Sequence, residues 1–506
     1  MNKHIRILST SDVHGVIYPY SYADMKETNH GFARLATLIN ELRDENTLLI
    51  DNGDTIEGSS FTFYHYSHKK DEICPISSIM KAIGYDYLNV GNHDFNYGEE
   101  ALFRHVKESR SKWLTANVLY KGELLGPEYV IHEFCNKKLA VFALTSHFVP
   151  HWEDEDNIRN FTFLDAYETA GRIVKKIKEK ENPDYIVCVY HGGFERDPET
   201  GEASEDDTGE NQGYRILENI KGIDVMLVGH QHRTCAGKLF GAAYTQPFQN
   251  GIYLSCIDID TETGEITPEL LKVKAEPDEK IMAIAAKEEK EVQNWLDTPL
   301  GHTDIDMRIL DDVEVRLHKS QLATFINIVQ KEVSGADLSG AALFLNGCGF
   351  TGDITMRTLV NTYFFPNTLF VKKINGKILK EYLERNADFW TVKDDQIIVN
   401  PLYDFPTPAY HNYDMVDGIE YTIKASNPSG SKIIELSRNG KPVSDDEEFT
   451  IAINSYRAAG SGGYEMISDS PTVKEIQKNV SEILAEYIID KKEIIFEPVN
   501  NIKVIR

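Results

Sequence analysis

The sequence lacks any long apolar stretch. No uninterrupted apolar segment approaches the ~18 residues that a membrane-spanning helix needs. The first fifteen residues, MNKHIRILSTSDVHG, contain no apolar core of the kind that a secretory signal needs. We therefore expect a soluble cytoplasmic protein that has no membrane as a partner.

Positive charge is also scarce. The 506-residue chain has 53 Lys and Arg against 80 Asp and Glu, which gives a formal net charge of −27. A sequence-independent grip on nucleic acid or anionic lipid needs an excess of basic residues. We therefore expect no nucleic-acid polymer as a partner, and any phosphate ligand must be held by a local positive centre.

Cysteine is sparse and lacks the spacing of a metal-binding motif. The six residues contain no C-x-x-C pair, and four of them lie in or beside apolar, strand-like runs. This pattern favours buried free thiols over disulfides or a cysteine metal site. The residues are Cys74, Cys135, Cys188, Cys235, Cys256 and Cys348.

Short apolar runs alternate with amphipathic segments through the first ~280 residues, which is typical of an α/β sheet covered by helices. The predicted strands are HIRIL (4–8), TLLI (47–50), YLNV (87–90), YIVCVY (185–190) and VMLV (225–228). FARLATLINELRDE and ETAGRIVKKIKEKE have the apolar spacing of helices. The acidic stretch 195–211 has no periodicity and is predicted to be a solvated surface loop.

A chain of this length is too long for one hydrophobic core, so we expect two domains. A polar helical segment ends at Pro299 and Gly301, after which the pattern starts again. This predicts domains at 1–297 and 298–506. The second is predicted to contain the helix SQLATFINIVQKEV, the strand ALFLN, the helix NGKILKEYLERNADFW, an aromatic loop at 403–413 and a closing helix TVKEIQKNVSEILAEYII.

Five predicted strands of the first domain end in residues that bind metals well. Each motif is weak alone, because Asp, Asn and His often only bond their own turn. Parallel strands place their carboxyl ends at one edge of a sheet, where ligands bind, so these side chains should converge. They are Asp12 and His14, then Asp54, then Asn92 with His93 and Asp94, then His191, and finally His230 and His232.

The donor set is chemically selective. Imidazoles, carboxylates and one amide without thiolate suit Mn²⁺, Zn²⁺, Fe²⁺, Co²⁺ or Ni²⁺. Seven ligands are too many for one tetrahedral ion, but with one bridging carboxylate they give four contacts to each of two ions. Two such ions can clamp a phosphate for in-line displacement. We therefore predict a two-metal centre, with Mn²⁺ or Zn²⁺ preferred.

At this point the sequence resembles the metallophosphoesterase superfamily, whose pattern is D-x-H, G-D, G-N-H-[DE], H and G-H-x-H. The stretches DNGDTIEGS, GNHDFNYG, TANV, NTLFVKKINGKILKEYLE, HNYDMVDGIEYTI and NSYRAAGSGGYEMI extend this likeness to nucleotidases with a C-terminal nucleotide-binding domain. The resemblance implies an N-terminal α/β/β/α sandwich and a smaller α/β substrate-binding domain.

The resemblance also assigns the ligands to two ions. It implies that Asp54 bridges the pair. The first ion is implied to be held by Asp12, His14, Asp54 and His232, and the second by Asp54, Asn92, His191 and His230.

The same motif suggests a proton donor. Asn92 is implied to bind metal through its amide oxygen, which leaves His93 to act as general acid on the departing ester oxygen. In 5′-nucleotidase relatives a carboxylate three residues later orients this histidine. Here that position is Asn96, which offers an oxygen but no charge. Asp94 is an alternative orienting group if the turn aims it at the ring.

Substrate choice is expected to come from the second domain. In the resembled family two aromatic side chains sandwich a nucleobase, and the matching positions are Tyr413 and Tyr456. Arg457 is a candidate contact to phosphate or ribose, with a structural ion pair as the alternative. The relatives that act on 5′-phosphates carry an arginine where this chain has Thr351 in NGCGFT.

These features predict a two-metal hydrolase of nucleotide phosphoesters, a 2′,3′-cyclic-nucleotide 2′-phosphodiesterase with 3′-nucleotidase activity. The alternative is a 5′-nucleotidase or UDP-sugar hydrolase that uses the same centre. A non-enzymatic nucleotide-binding protein should lack metal ligands, and none of the seven is missing. The nucleotide, its base, the native metal and the oligomeric state stay open.

Overall fold

The computed structural model describes residues 4–22, 25–151, 153–203, 209–345, 347–363, 365, 367–404 and 408–506. These residues form two compact units, Met1–Val292 and Gln293–Arg506. Five residues of the predicted acidic loop, 204–208, and three of the predicted aromatic loop, 405–407, lie outside the described residues.

The first unit alternates strands and helices, as its apolar pattern predicts. Its strands are β1 (His4–Thr10), β2 (Thr47–Asp51), β3 (Tyr87–Leu88), β4 (Lys112–Trp113), β5 (Val118–Tyr120), β6 (Glu123–Leu124), β7 (Val130–Phe134), β8 (Lys137–Thr145), β9 (Phe161–Phe163), β10 (Tyr185–His191), β11 (Val225–Val228), β12 (Thr234–Leu239), β13 (Ala242–Pro247), β14 (Tyr253–Asp260) and β15 (Ile266–Lys272). Its helices are α1 (Phe32–Leu42), α2 (Ser60–His68), α3 (Pro75–Ile83), α4 (Gly98–Ser109), α5 (Glu155–Ile158), α6 (Ala166–Lys180), α7 (Gly213–Asn219) and α8 (Glu279–Leu296). The division between the units falls in the last turns of α8.

Two six-stranded sheets form the centre of this unit, in the orders β15-β14-β1-β2-β3-β4 and β12-β13-β11-β10-β8-β7. Strands β1 to β4 run parallel, as do β8, β10, β11 and β13. Apolar residues of both sheets, such as Ile7, Leu48, Val187 and Leu227, share one core cluster. The other face of the second sheet packs against α6 and α7. The sandwich that the resemblance implies is confirmed.

The parallel pairing aligns the ends of the strands that matter for function. Thr10 at the end of β1 lies opposite Asp51 at the end of β2, and Tyr190 of β10 lies opposite Val228 of β11. The polar loops that follow these strands therefore emerge at the carboxyl edge of each sheet. All five strands predicted at these positions are present, although YLNV contributes only Tyr87–Leu88.

The second unit is a mixed α/β fold. Its strands are β16 (Pro299–Thr303), β17 (Leu338–Ala342), β18 (Gly352–Thr355), β19 (Thr368–Asn375), β20 (Trp390–Lys393), β21 (Gln396–Val399), β22 (Asp414–Asp417), β23 (Glu420–Lys424), β24 (Ile433–Arg438), β25 (Lys441–Pro442), β26 (Glu448–Asn454), β27 (Thr472–Asn479) and β28 (Ile502–Ile505). Its helices are α9 (Glu314–Leu317), α10 (Gln321–Ser334), α11 (Met356–Val360), α12 (Gly376–Ala387), α13 (Ser455–Ala458), α14 (Glu465–Ser468) and α15 (Val480–Lys491). A five-stranded sheet in the order β22-β17-β26-β19-β27 forms its centre.

Two predictions for this unit are wrong in their bounds. The strand expected at ALFLN lies earlier, at Leu338–Ala342, where small residues sit between β22 and β26. The single closing helix is divided, because Thr472–Asn479 pairs with β19 and only Val480–Lys491 is helical. In both cases pairing with a neighbouring strand overrides the local pattern.

No helix within the described ranges combines the length and apolar character that a membrane span requires.

Candidate metal centre

The predicted ligands of the first unit lie on loops at the ends of its parallel strands. Asp12 and His14 follow β1, Asp54 follows β2, Asn92 follows β3, His191 ends β10, and His230 and His232 follow β11. Five of the seven have backbones in the left-handed region, which non-glycine residues rarely adopt. Their φ angles are 54° for Asp12, 53° for His14, 54° for Asp54, 67° for His230 and 52° for His232.

The first group consists of Asp12, His14 and His232, whose ligand atoms lie within 4.8 Å of one another. His14 Nδ1 donates to the carbonyl of Glu57 at 3.0 Å, so its Nε2 keeps a lone pair. His14 Nε2 lies 3.1 Å from His232 Nε2, and Asp12 Oδ1 lies 3.5 Å from His232 Nε2. Two facing nitrogens and a carboxylate suit one shared cation.

The second group consists of Asp54, His191 and His230. His191 Nδ1 donates to the carbonyl of Asn52 at 2.6 Å, which turns its Nε2 toward Asp54 Oδ2 at 3.2 Å. Asn92 Oδ1 joins this group, 2.8 Å from His230 Nδ1 and 3.3 Å from His191 Nε2. The amide thus presents its oxygen to the other donors.

The buried carboxylates of both groups are ionised. Burial alone would raise the pKa of Asp54, but the nearby charges of His191 and His93 hold that pKa well below its usual value. Burial opposes ionisation of Asp12 as well, while His232 and His191 lower its pKa to about 2. The site therefore offers negative oxygens to a cation.

Gly91 lets two ligands of the second group, Asp54 and His191, approach the loop after β3. A Cβ atom at this position would lie 2.1 Å from Asp54 Oδ1 and 2.5 Å from the His191 ring. Any larger residue would displace both side chains, since no real Cβ contact is this short. The glycine that begins the G-N-H motif is therefore required by packing.

These residues fit a pair of divalent ions. Asp54 Oδ2 is buried and makes no hydrogen bond of good geometry to any described residue. An unsatisfied buried carboxylate oxygen costs free energy unless a cation or donor meets it. With the donor atoms of the six other predicted ligands in the same centre, a divalent metal is the group that satisfies this atom. Divalent metal ions are therefore the cofactors that the centre suits, without selecting one element.

His93 lies beside this centre, with its ring centroid 5.6 Å from that of His14. Its backbone N–H donates to Asp54 Oδ1 at 2.7 Å. Its ring Nδ1 lies 2.8 Å from Asn96 Oδ1 and 3.3 Å from Glu57 Oε2. Burial disfavours the charged ring, but the carboxylates of Asp54 and Glu57 raise the pKa of His93 to about 9.

Asp94 holds the loop rather than the histidine. Its carboxylate accepts backbone N–H groups from Asp54 and Thr55 at 2.9 Å each, from Ile56 at 3.2 Å and from Gly91 at 2.9 Å. No hydrogen bond joins Asp94 to the His93 ring among the described residues. The orienting role that the sequence offered to Asp94 as an alternative therefore has no contact to support it.

Three carboxylates that surround the centre were missed from the sequence. Glu57 reaches His93, and Glu153 Oε2 accepts from Asn96 Nδ2 at 2.6 Å. Glu210 Oε1 lies 2.8 Å from His230 Nε2. Glu57 stands three residues after Asp54, but nothing in its position shows where the side chain points. The other two come from loops that no motif marks.

Two of the predicted substrate residues lie buried in the second unit. Tyr413 is fully buried, and its ring stacks on Phe389 with centroids 4.9 Å apart. Arg457 is also buried, and it forms an ion pair with Asp414 at 2.7 Å. Tyr413 faces the core because it leads directly into β22, whose residues are all buried, and Arg457 of α13 pairs with Asp414 of the same strand. Arg457 therefore takes the structural alternative that the sequence left open.

Tyr456 lies nearer the surface of this unit. It is half-buried, and its ring meets His411 edge-on at 5.7 Å. Tyr410, three residues before Tyr413, is half-buried too, with Arg316 lying 5.3 Å from its ring centroid. Tyr410 and Tyr456 are therefore two aromatic side chains near these positions that stay partly exposed.

Known proteins share this architecture over the whole chain. Residues 5–234 match the calcineurin-like phosphoesterase family, and residues 299–469 match the 5′-nucleotidase C-terminal domain. A Staphylococcus aureus protein described as a candidate 5′-nucleotidase, solved in complex with alpha-ketoglutarate, is 32% identical with a TM-score of 0.93, covering 99% of this chain and 100% of that one. The chain belongs to the metallophosphoesterases with a 5′-nucleotidase C-terminal domain. The family that the motifs indicate is thus confirmed.

Two other members of the family carry more specific names. The trifunctional nucleotide phosphoesterase protein YfkN of Bacillus subtilis is 27% identical over 97% of this chain, which spans only 38% of YfkN. A 2′,3′-cyclic-nucleotide 2′-phosphodiesterase/3′-nucleotidase of Salmonella typhimurium is 28% identical, covering 90% of this chain and 81% of that protein.

Proposed function

We propose that this protein is a two-metal hydrolase of nucleotide phosphoesters, which opens 2′,3′-cyclic nucleotides and then removes the 3′-phosphate. The observation that carries the proposal is the convergence of two ligand groups, the second of which holds the buried Asp54 Oδ2, an atom that faces His191 Nε2 at 3.2 Å and has no hydrogen bond of good geometry among the described residues. Asp54 is the proposed bridge between the two ions. The names of the Salmonella and Bacillus relatives support the substrate class.

Two divalent ions at this centre would supply a nucleophilic hydroxide at neutral pH and neutralise charge on the phosphate. The protein's own residues do the rest. His14 and His191 are held by backbone carbonyls so that their Nε2 atoms face the site. These fixed tautomers keep the ligands ready for metal without reorganisation.

His93 is the proposed general acid. Both partners of its Nδ1, the Asn96 carbonyl oxygen and the Glu57 carboxylate, are acceptors, so Nδ1 carries a proton. Nε2 is then the nitrogen that passes a proton to the departing ester oxygen. The Glu57 carboxylate 3.3 Å from Nδ1 favours the protonated ring that this role needs.

Base recognition is assigned to the second unit by the family resemblance. We propose that Tyr456 stacks on the nucleobase and that Tyr410 takes the place first given to Tyr413. Stacking tolerates any base, because every base has a π-face, and contributes ~1–3 kcal/mol per base. The partial exposure of Tyr410 and Tyr456 supports this assignment.

A 5′-nucleotidase or UDP-sugar hydrolase is the second candidate. It is favoured by the description of the Staphylococcus relative, and a 5′-nucleotidase of Vibrio cholerae is 24% identical over 96% of this chain. Thr351, at the position where relatives that act on 5′-phosphates have arginine, weighs against it. The cytoplasmic location and the preference for Mn²⁺ or Zn²⁺ stay predictions.

The test is a comparison of four substrates after loading the purified protein with Mn²⁺. We expect kcat/KM for 2′,3′-cyclic AMP and 3′-AMP to exceed that for 5′-AMP and UDP-glucose. Treatment with a chelator should abolish all four reactions, and Mn²⁺ should restore them. Preference for 5′-AMP would select the second candidate, and no hydrolysis of any ester would refute both.

A further inference from the structure

Position 96 lacks the carboxylate that, by the family resemblance, orients the corresponding histidine in 5′-nucleotidase relatives. Asn96 accepts from His93 Nδ1 through Oδ1 at 2.8 Å and donates through Nδ2 to Glu153 at 2.6 Å. Because a carboxylate only accepts, Glu153 fixes the orientation of this amide. The amide therefore orients the ring but brings no charge to it.

Glu57 brings a carboxylate to the same nitrogen from another loop. Its Oε2 lies 3.3 Å from His93 Nδ1, in a position where the side chain is only 5% exposed. The same oxygen is 3.9 Å from His14 Nδ1. His93 is therefore the nearer of its two imidazole partners.

The backbone around Glu57 fixes its side chain. Its carbonyl oxygen accepts from His14 Nδ1 at 3.0 Å, and Ser59, two residues later, caps α2. Gly58 has a φ of +117°, and a Cβ there would lie 2.7 Å from the His14 ring. The loop is thus clamped on both sides of Glu57, so this side chain does not depend on a flexible segment.

We propose that Glu57 is a positioning residue for His93, which supplies the orientation and negative charge that a carboxylate at position 96 supplies in relatives. The inference rests on the proposed function, because it assumes that His93 is the proton donor. Burying a carboxylate is costly unless a partner compensates, and the Nδ1–H group of His93, 3.3 Å away, is the nearest imidazole partner of Glu57. Asn96 and Glu57 then both contact His93 Nδ1, the amide oxygen at 2.8 Å and the carboxylate oxygen at 3.3 Å.

The first test compares leaving groups. Glu57→Gln keeps the size of the side chain and removes its charge. We expect kcat on 3′-AMP to fall ~10- to 100-fold, a part of the 10² to 10⁴ that a positioned proton donor contributes. The loss should be several-fold smaller on p-nitrophenyl phosphate, whose acidic leaving group needs little protonation. Bound metal, measured by elemental analysis, should be unchanged.

The second test moves the charge back to position 96. In the double variant Glu57→Gln/Asn96→Asp, kcat on 3′-AMP should return to within ~5-fold of the wild type, because a carboxylate again contacts Nδ1. Conversely, Glu57→Gln should cost nothing further in a His93→Asn background, since its effect passes through that ring.

Glu288→Gln is the matched control. Glu288 is another buried glutamate of the first unit, paired with His65 Nδ1 at 2.7 Å, and neither residue belongs to the ligand groups. Its replacement should show no dependence on leaving group. If Glu57→Gln does not fold, as judged by thermal unfolding, Glu57→Asp provides a folded variant that keeps the charge and should lose less than tenfold.

Three results would overturn the proposal: equal losses on both ester types, no rescue by Asn96→Asp, or a further loss in the His93→Asn background. Each would mean that Glu57 supports His14 or the fold instead. These results differ from a failure of the proposed function, in which the metal-loaded wild type would hydrolyse neither 3′-AMP nor p-nitrophenyl phosphate.

Discussion

Replacing Glu210 by Gln tests how strongly the surrounding loop controls the metal centre. Glu210 Oε1 lies 2.8 Å from His230 Nε2, while Nδ1 of the same ring lies 2.8 Å from Asn92 Oδ1. The ring is thus held between the second ligand group and a carboxylate. The carbonyl of Glu210 accepts from the buried hydroxyls of Ser146 at 2.7 Å and Tyr190 at 3.3 Å, which fixes the residue.

The expected magnitude follows from this geometry. Outer partners of a metal-binding histidine are worth ~10- to 100-fold in metal affinity. Gln keeps an oxygen that can accept from Nε2 and loses only the charge, so we expect Glu210→Gln to weaken the second ion ~10-fold, about 1.4 kcal/mol. Glu210→Ala removes the acceptor as well and should approach ~100-fold.

The assay is a titration of the metal-free protein with Mn²⁺ in competition with a chelator. Glu195→Gln is the control, because Glu195 lies on the same acidic loop and accepts the backbone N–H groups of Tyr214 and Arg215 rather than a ligand. Its affinity for both ions should equal that of the wild type. If Glu210→Gln bound both ions within twofold of the wild type, the carboxylate would be only a solvated loop charge.

Four further substitutions test the metal centre, the proton donor and the base site separately. Asp54→Asn should abolish turnover with little change in thermal stability, because it removes the carboxylate proposed to bridge the ions. If elemental analysis still finds two bound metals and more than a few per cent of the activity remains, Asp54 is not the bridge. His93→Asn should retain metal and lower kcat on nucleotides ~10²- to 10⁴-fold, with a smaller loss of kcat on p-nitrophenyl phosphate. Equal losses on both substrates would mean that His93 stabilises the charge of the phosphate instead of donating a proton. Tyr456→Ala should raise KM for 2′,3′-cyclic AMP and leave the hydrolysis of bis-p-nitrophenyl phosphate unchanged. Tyr413→Ala should instead lower the free energy of unfolding in denaturant by ~3–5 kcal/mol. If Tyr413→Ala raised KM without loss of stability, Tyr413 would belong to the base site.

The sequence predicts the donors of the first unit because strand ends and ligands coincide there. Each apolar run stops at a polar residue, and parallel pairing brings these ends to one edge, so convergence follows from topology alone. Glu57, Glu153 and Glu210 could not be found in this way. Their roles depend on the direction in which a loop side chain points, and loop sequences have no regular apolar periodicity from which that direction could be predicted.

The aromatic residues of the second unit show a different limit. HNYDMVDG contains one Tyr, and Tyr410 stands just before it, so composition alone cannot choose between them. A short turn at Tyr410–Asn412 precedes β22, and the strand buries every residue from Tyr413 to Asp417. Tyr410 stays partly exposed because it begins this turn, before the chain enters the buried strand.

The divided closing segment has a related cause. TVKEIQKN carries charged residues at intervals that a helix also tolerates, and the helix that follows makes the whole stretch look continuous. Its β-branched residues Thr472, Val473 and Ile476 suit a strand, and β19 offers an unpaired edge to it. Only the tertiary partner decides between the two.

The left-handed backbones of the ligands connect the fold to the chemistry. Asp12, His14, Asp54, His230 and His232 all have φ between 52° and 67°, which costs ~1–3 kcal/mol for each non-glycine residue. Such strain persists only where the surrounding structure overdetermines it, and here Asp94 ties three successive N–H groups of the Asp54 loop to the N–H of Gly91. Asp94 therefore acts through the backbone, because its carboxylate holds both the loop that carries Asp54 and the turn that carries Asn92 and His93.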